Sequence, residues 1–178
     1  MVPEEYEAAF RDRARYTNAQ TSTAIEGNPL GSQRALQVLV NGPDESRPDE
    51  VEVANVEAAY QFMAVIAADA TLHIDAGVIR SLNALVLRGL PDAAARNRGR
   101  YRTVGSQIVD ADTRALRHTT PQPSWIPDLI SGFVDDLNRW LKGDHPLVAA
   151  AKAHFAWCRS TRFRIEMGAP LTSSPALS

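Results

Sequence analysis

Apolar residues recur along most of the chain at three- and four-residue spacing, the pattern of helices with one buried face. Residues 3–25 predict one or two helices. They are closed at Gly27-Asn28-Pro29, where a left-handed glycine and a proline stop propagation. Ser32 is placed to cap a short helix through Val40 that ends at Asn41-Gly42-Pro43, and Gly42 to Pro48 reads as a polar linker. A longer helix is predicted from about Asp49 to Ala68, and Asp75 is placed to cap another running to about Arg88. The rhythm then breaks. Arg102 to Asp110 and Ala115 to Thr120 are β-capable runs on either side of Asp110-Ala-Asp-Thr, so a short hairpin is expected. Pro121-Gln-Pro-Ser leads into a strongly periodic helix whose predicted apolar face is Ile126, Leu129, Ile130, Phe133, Leu137, Trp140 and Leu141. Asp144 is placed to cap the last helix, with Pro146 in its first turn and apolar positions through Trp157. Beyond Trp157 the periodicity stops, and residues 168–178 carry no charge at all.

Composition narrows the picture only a little. A length of 178 residues with 44% hydrophobic content suits one domain with a real core, and a net charge of -2 argues against a dedicated nucleic-acid binder. One cysteine, Cys158, excludes a disulfide framework and a cysteine-based zinc cluster. The charged N-terminus does not read as a signal peptide, and no membrane span is expected, so the expectation is a cytoplasmic chain. His73, His118, His145 and His154 have no metal-ligand spacing and read as structural. There is no Walker loop, no GxGxxG and no nucleophile elbow.

One short string carries more. Ser22-Thr23-Ala24-Ile25-Glu26-Gly27-Asn28 reads plainly as a helix C-terminus, with Glu26 a solvated charge and Gly27 the left-handed residue. It also resembles the inhibitory motif [Ser/Thr]-x-x-x-Glu-[Gly/Asn] of the Fic (Fido-domain) family of protein AMP-transferases, placed N-terminal to the core as in class II members. The resemblance continues in order: Val53 to Tyr60 for the helix after the linker, and Gly99-Arg-Tyr-Arg-Thr-Val for the lead into a substrate-docking β-hairpin flap. Pro121 to Leu141 then resembles the post-flap helix, and His145 to Trp157 the helix leading to the active-site loop. It implies an inhibitory motif at Ser22, Glu26 and Gly27, and a target-docking flap at about 102–119 that includes Thr103, Val104 and Gly105.

The family's signature, His-Pro-Phe-x-[Asp/Glu]-Gly-Asn-Gly-Arg-x-x-Arg, should follow. Its histidine is a general base, its acid holds Mg²⁺, and its Gly-Asn-Gly turn and arginines bind phosphates. The chain instead reads Cys158-Arg-Ser-Thr-Arg-Phe-Arg-Ile-Glu-Met-Gly-Ala-Pro. Read one nucleotide earlier, Trp157-Cys158 forces a valine and Met167-Gly168 forces a glycine. The codons between permit Ser-Ile-His-Pro-Phe-x-Asp and then Asn before that glycine. The codon overlapping Glu166 dissents, giving only arginine or stop. The expectation is therefore that the last 21 residues form an out-of-frame tail.

The fold expected is mainly α: a Fic-type helical bundle with a short β-hairpin flap and the C-terminal part of the fold missing. Residues 1–45 would form an N-terminal region with the inhibitory helix, 46–157 an incomplete Fido core, and 158–178 an unstructured tail. The resemblance implies ATP and Mg²⁺ as cofactors and a protein substrate as partner, with AMP transfer to Ser, Thr or Tyr hydroxyls. No catalytic or metal-ligand residue is identified in this chain, and an inactive, marginally stable form is expected. The alternatives are a non-catalytic helical module that binds a protein or retains a regulatory contact, and a helical domain in which Glu26 merely ends a helix.

Overall fold

A computed structural model describes residues 4–69, 71, 73–91, 97–105, 107–110 and 113–161. These are mainly helical. The elements are α1 (Glu4–Ile25), α2 (Ser32–Asn41), α3 (Pro48–Ala68), α4 (Ala76–Val86), β1 (Gln107–Val109), β2 (Leu116–Thr119), a short 3₁₀ turn (Pro123–Trp125), α5 (Ile126–Gly143) and α6 (Pro146–Thr161).

The helix α3 is the hub of the N-terminal half. Pro48 occupies its first turn, where the missing N–H costs nothing, and Asp49 and Glu50 face the positive end of the helix dipole. Its buried residues, Glu50, Val51, Val53, Asn55, Glu57 and Ala59, fall on several sides because α1, α2 and α4 all pack against it. Val53 joins Leu30, Ala35 and Val38 in one apolar cluster. A second cluster sits under α5. There Ile126, Ile130 and Val134 pack with Ala76 and Ile79 of α4, Tyr101, and Trp157 of α6, whose ring lies 5.3 Å from Phe133 at 57°.

Buried polar side chains hold these parts together. Asn55 Nδ2 donates to the Val86 and Arg88 carbonyls (3.2 and 2.6 Å), satisfying the C-terminus of α4. Asn138 takes the Ile74 N–H on its Oδ1 (3.1 Å) and donates through Nδ2 to the Ile74 carbonyl (2.6 Å), pinning the segment before α4 to α5. Glu57 pairs with Arg15 Nε at 2.6 Å and ties α1 to α3.

Four local expectations are revised. Asp75 does cap α4, accepting from Val78 N at 2.9 Å, but Ser32 is the first residue of α2 rather than its cap. Gly31 takes the cap position, its carbonyl accepting from Ala35 N at 2.9 Å. Asp144 does not cap α6: its carboxylate holds Lys152 Nζ at 2.8 Å, and the exposed Leu147 N–H goes to His145 Nδ1 at 3.3 Å. The buried stripe of α5 is Ile126, Ile130, Val134 and Asn138, spaced by four. Leu129 and Leu141 are exposed, one at the edge of the arc that meets α4 and α6 and the other in the last turn. Finally, α6 continues to Thr161, four residues beyond the point where apolar periodicity ends; residues 162–178 lie outside the described residues.

Candidate functional site

The residues singled out by sequence lie at two places, the C-terminus of α1 and the approach to the hairpin. The first is a complete Schellman ending. Gly27, at φ +95°, sends its N–H to the Ala24 carbonyl (3.1 Å), and Asn28 N reaches the Thr23 carbonyl (3.0 Å). Thr23 is buried with its hydroxyl on the Ala19 and Gln20 carbonyls, and Ser22 Oγ lies 3.3 Å from the Tyr60 hydroxyl on α3. Asn28 then locks the exit. Its Nδ2 donates to the Asp49 carbonyl (2.9 Å) and to Glu52 Oε2 (2.6 Å), while its Oδ1 accepts from Leu30 N (2.9 Å).

Glu26 is the exception in this turn. It is exposed, and among the described residues its carboxylate makes no hydrogen bond or ion pair. It sits at the negative end of the α1 dipole, where a carboxylate is electrostatically unfavourable, and the last turn of α1 holds no basic residue.

Thr103, Val104 and Gly105 lie before the first strand, not within it. The predicted hairpin began near residue 102, whereas pairing starts at Gln107, opposite Thr119, and continues with Ile108 opposite His118 and Val109 opposite Leu116. Arg102 supplies the physical reason. It is buried, and its guanidinium donates to the Val104 carbonyl (2.8 Å) and the Pro121 carbonyl (2.5 Å), clamping the two stems of the hairpin instead of leaving Val104 free for a ladder. Thr103 and Gly105 are exposed, and Val104 is 70% exposed. At the other end Asp110 organises the turn: its Oδ1 accepts from the Thr113 N–H and hydroxyl (both 2.8 Å), and its N–H donates to the Ala115 carbonyl (2.8 Å). An open groove of about 430 Å³ runs beside the stems, lined by Gly105, Gln107, Thr119, Thr120, Pro121 and Gln122. It offers amide, hydroxyl and backbone groups and no charged side chain.

The third part of the expected site would follow α6. The helices α1 and α6 share no contact among the described residues: α1 packs on α2 and α3, and α6 packs on α5. No three His, Cys, Asp or Glu side chains converge among the described residues. The donor set that would hold Mg·ATP in the Fic family's manner is therefore not assembled by them. No helix among them is long and apolar enough to cross a membrane.

The roles of Arg102 and Asn138 were not foreseen in the sequence, and Asn55 was marked there only as part of the Val53 to Tyr60 resemblance. Arg102 alone offered a hint, as an arginine between Tyr101 and Thr103 at the edge of the β-capable run. In comparison with known proteins, the chain matches no protein-family model and no curated protein sequence.

Proposed function

We propose that this chain is a Fic-like scaffold related to protein adenylyltransferases, which move AMP from Mg·ATP to a Ser, Thr or Tyr hydroxyl of a target protein, and that it is non-catalytic in this form. The observation that carries the reading is Glu26: an exposed carboxylate at a well-formed helix end, where the fold gains nothing from its charge. An inhibitory carboxylate aimed at a phosphate-binding arginine accounts for it. Support also comes from order along the chain: the helix with Ser22 and Glu26, the α3 hub, a hairpin preceded by Thr103-Val104-Gly105, and the α5–α6 pair. On this reading the hairpin is a target-docking flap, the protein works in the cytoplasm, and ATP and Mg²⁺ belong to the intact site.

The separation of α1 from α6 favours a second reading, a non-catalytic helical module in which Glu26-Gly27 only ends a helix. Two experiments decide. The full chain incubated with Mg²⁺ and ATP labelled at the α-phosphate is expected to show no self-labelling, and labelling abolished by deleting residues 158–178 overturns the proposal. Sequencing the encoding DNA after codon 157 is expected to find codons compatible with His-Pro-Phe-x-Asp in the shifted frame. Incompatible codons leave the second reading.

A further inference from the structure

The net charge of -2 conceals a strong segregation. Residues 80–104 hold six arginines against one aspartate, a local excess of +5 that leaves -7 on the rest of the chain. The fold gathers four of these arginines around one contact. Arg80, Ala84 and Arg88 recur every four residues along α4 and just past its end, and Gly99 is seated on the middle of that row. A Cβ on Gly99 would come 3.2 Å from Ala84 Cβ, so a side chain there would push the two apart by a few tenths of an ångström, and φ +67° itself favours glycine. The Gly99 N–H is fixed on Asn83 Oδ1 at 2.8 Å. Arg98 and Arg100 flank Gly99 in sequence, so this contact sets their stretch of backbone against the α4 row that carries Arg80 and Arg88.

These guanidiniums are held, and none is neutralised among the described residues. Arg80 lies over the Tyr101 ring at 5.9 Å, and Arg98 donates Nη2 to the Leu90 carbonyl at 3.1 Å, while its buried Nε has no hydrogen-bond partner among the described residues. Arg80, Arg88 and Arg100 are exposed. None of the four forms an ion pair among the described residues, whereas Arg11, Arg15, Arg34, Arg47 and Arg139 each hold a carboxylate.

We propose that the face formed by α4 and residues 97–101 binds a short acidic segment of a partner protein. The charge distribution selects that occupant over nucleic acid. An α4 of 11 residues is about 16 Å long, so the patch spans about two Debye lengths at physiological salt. A phosphodiester chain would run off it into the field of the rest of the chain, whose net charge is -7. A segment with a few carboxylates stays on the patch and meets guanidinium forks suited to bidentate pairing.

The test uses the full chain and a fluorescein-labelled six-residue peptide of alternating Glu and Ser, about 20 Å when extended, followed by anisotropy at about 50 and about 300 mM NaCl. Saturable binding is expected at low salt, weakened about tenfold at high salt and about tenfold or more in R80E/R100E. R80Q/R100Q, checked for native circular dichroism, should show the same direction of loss, and R139E should leave binding unchanged. No saturable binding, or equal binding by wild type and R80E/R100E, overturns the proposal. Tighter binding of a single-stranded DNA 12-mer, lost in the same variant, also overturns it by assigning the face to nucleic acid.

Discussion

Removing the carboxylate of Glu50 should loosen the α2–α3 junction more than any single change among the exposed charges. Glu50 is 0% exposed and meets four donors: Arg34 Nε (3.0 Å) and Nη2 (2.9 Å), Arg47 Nη1 (2.8 Å), and the Asp44 N–H (3.1 Å). It thus ties α2, the 42–47 loop and the first turn of α3 in one knot. Removing one partner of a buried ion pair costs about 3–5 kcal/mol. The stranded arginines here are 47% and 46% exposed and can rehydrate, so the lower end applies and Glu50→Ala should cost about 3 kcal/mol. Glu50→Gln preserves volume but turns an amide N–H₂ toward guanidinium donors, and about 2 kcal/mol is expected. Arg34→Ala should cost only about 1 kcal/mol, because Arg47 still covers the carboxylate, and Arg47→Ala should likewise be a small loss. Together they should exceed the sum of the singles by about 1 kcal/mol or more, since the double variant buries a bare charge. Equilibrium urea unfolding reads all five variants, with the slope m unchanged. A Glu50→Ala loss below about 1 kcal/mol, or strict additivity of the two arginine variants, refutes the knot.

Three further outcomes are expected. The Asp44 carboxyl is held below its ordinary value by hydrogen bonds from Ser46, side chain and backbone, and that of Asp49 by its hydrogen bond from Arg47. A depressed folded-state pKa adds stability that is fully present above the unfolded value of 3.8 and is lost as pH falls through the folded one. Wild type should therefore lose stability below about pH 4 more steeply than Asp44→Asn/Asp49→Asn, as read by urea midpoints along a pH series. Gly99→Ala, strained at φ +67° and pressed against Ala84, should cost about 2 kcal/mol, and Gly27→Ala, at φ +95° with open space around it, about 1 kcal/mol. The reverse order would sink the packing account of Gly99. The helix α6 leaves Leu147 and Val148 exposed, so a cooperative melt below about 60 °C is expected by calorimetry, and a higher one contradicts it.

Helix positions were legible wherever local chemistry sets them. Asp75 and Pro146 mark two helix starts through effects confined to one turn, and Gly27 and Gly42 mark two ends through positive φ, whereas Pro48, read as the end of the linker, is the first residue of α3. Polar residues whose partners are distant in sequence were not legible. Asn55 serves carbonyls at 86 and 88, and Asn138 serves residue 74, so neither pattern nor spacing distinguishes them from solvated asparagines. The same limit displaced the hairpin. β-propensity begins at 102, but a buried guanidinium claims the Val104 carbonyl, and that depends on Pro121 being within its reach. For the candidate site, the turn at 22–28 follows from its own residues. Its distance from α6 depends on packing through α3, α4 and α5, which no local signal encodes.

Glu26 is where the two functional readings diverge in free energy. If 22–28 were only a helix end, selection for stability would leave Gly27 and Asn28 as they are, since one supplies the left-handed turn and the other ties it to α3. It would not favour a carboxylate at the C-cap, where about 0.3–1 kcal/mol of dipole interaction opposes it at low salt. Glu26→Gln should therefore stabilise the chain by a few tenths of a kcal/mol, and Glu26→Lys by up to about 1 kcal/mol, with both gains shrinking at high salt. An exposed carboxylate that makes no contact among the described residues is available to a partner outside the fold, as the inhibitory reading requires. Urea midpoints at low and high salt read the effect directly. Destabilisation by Glu26→Gln would mean that the carboxylate has a structural partner, and the observation carrying the adenylyltransferase reading would be gone.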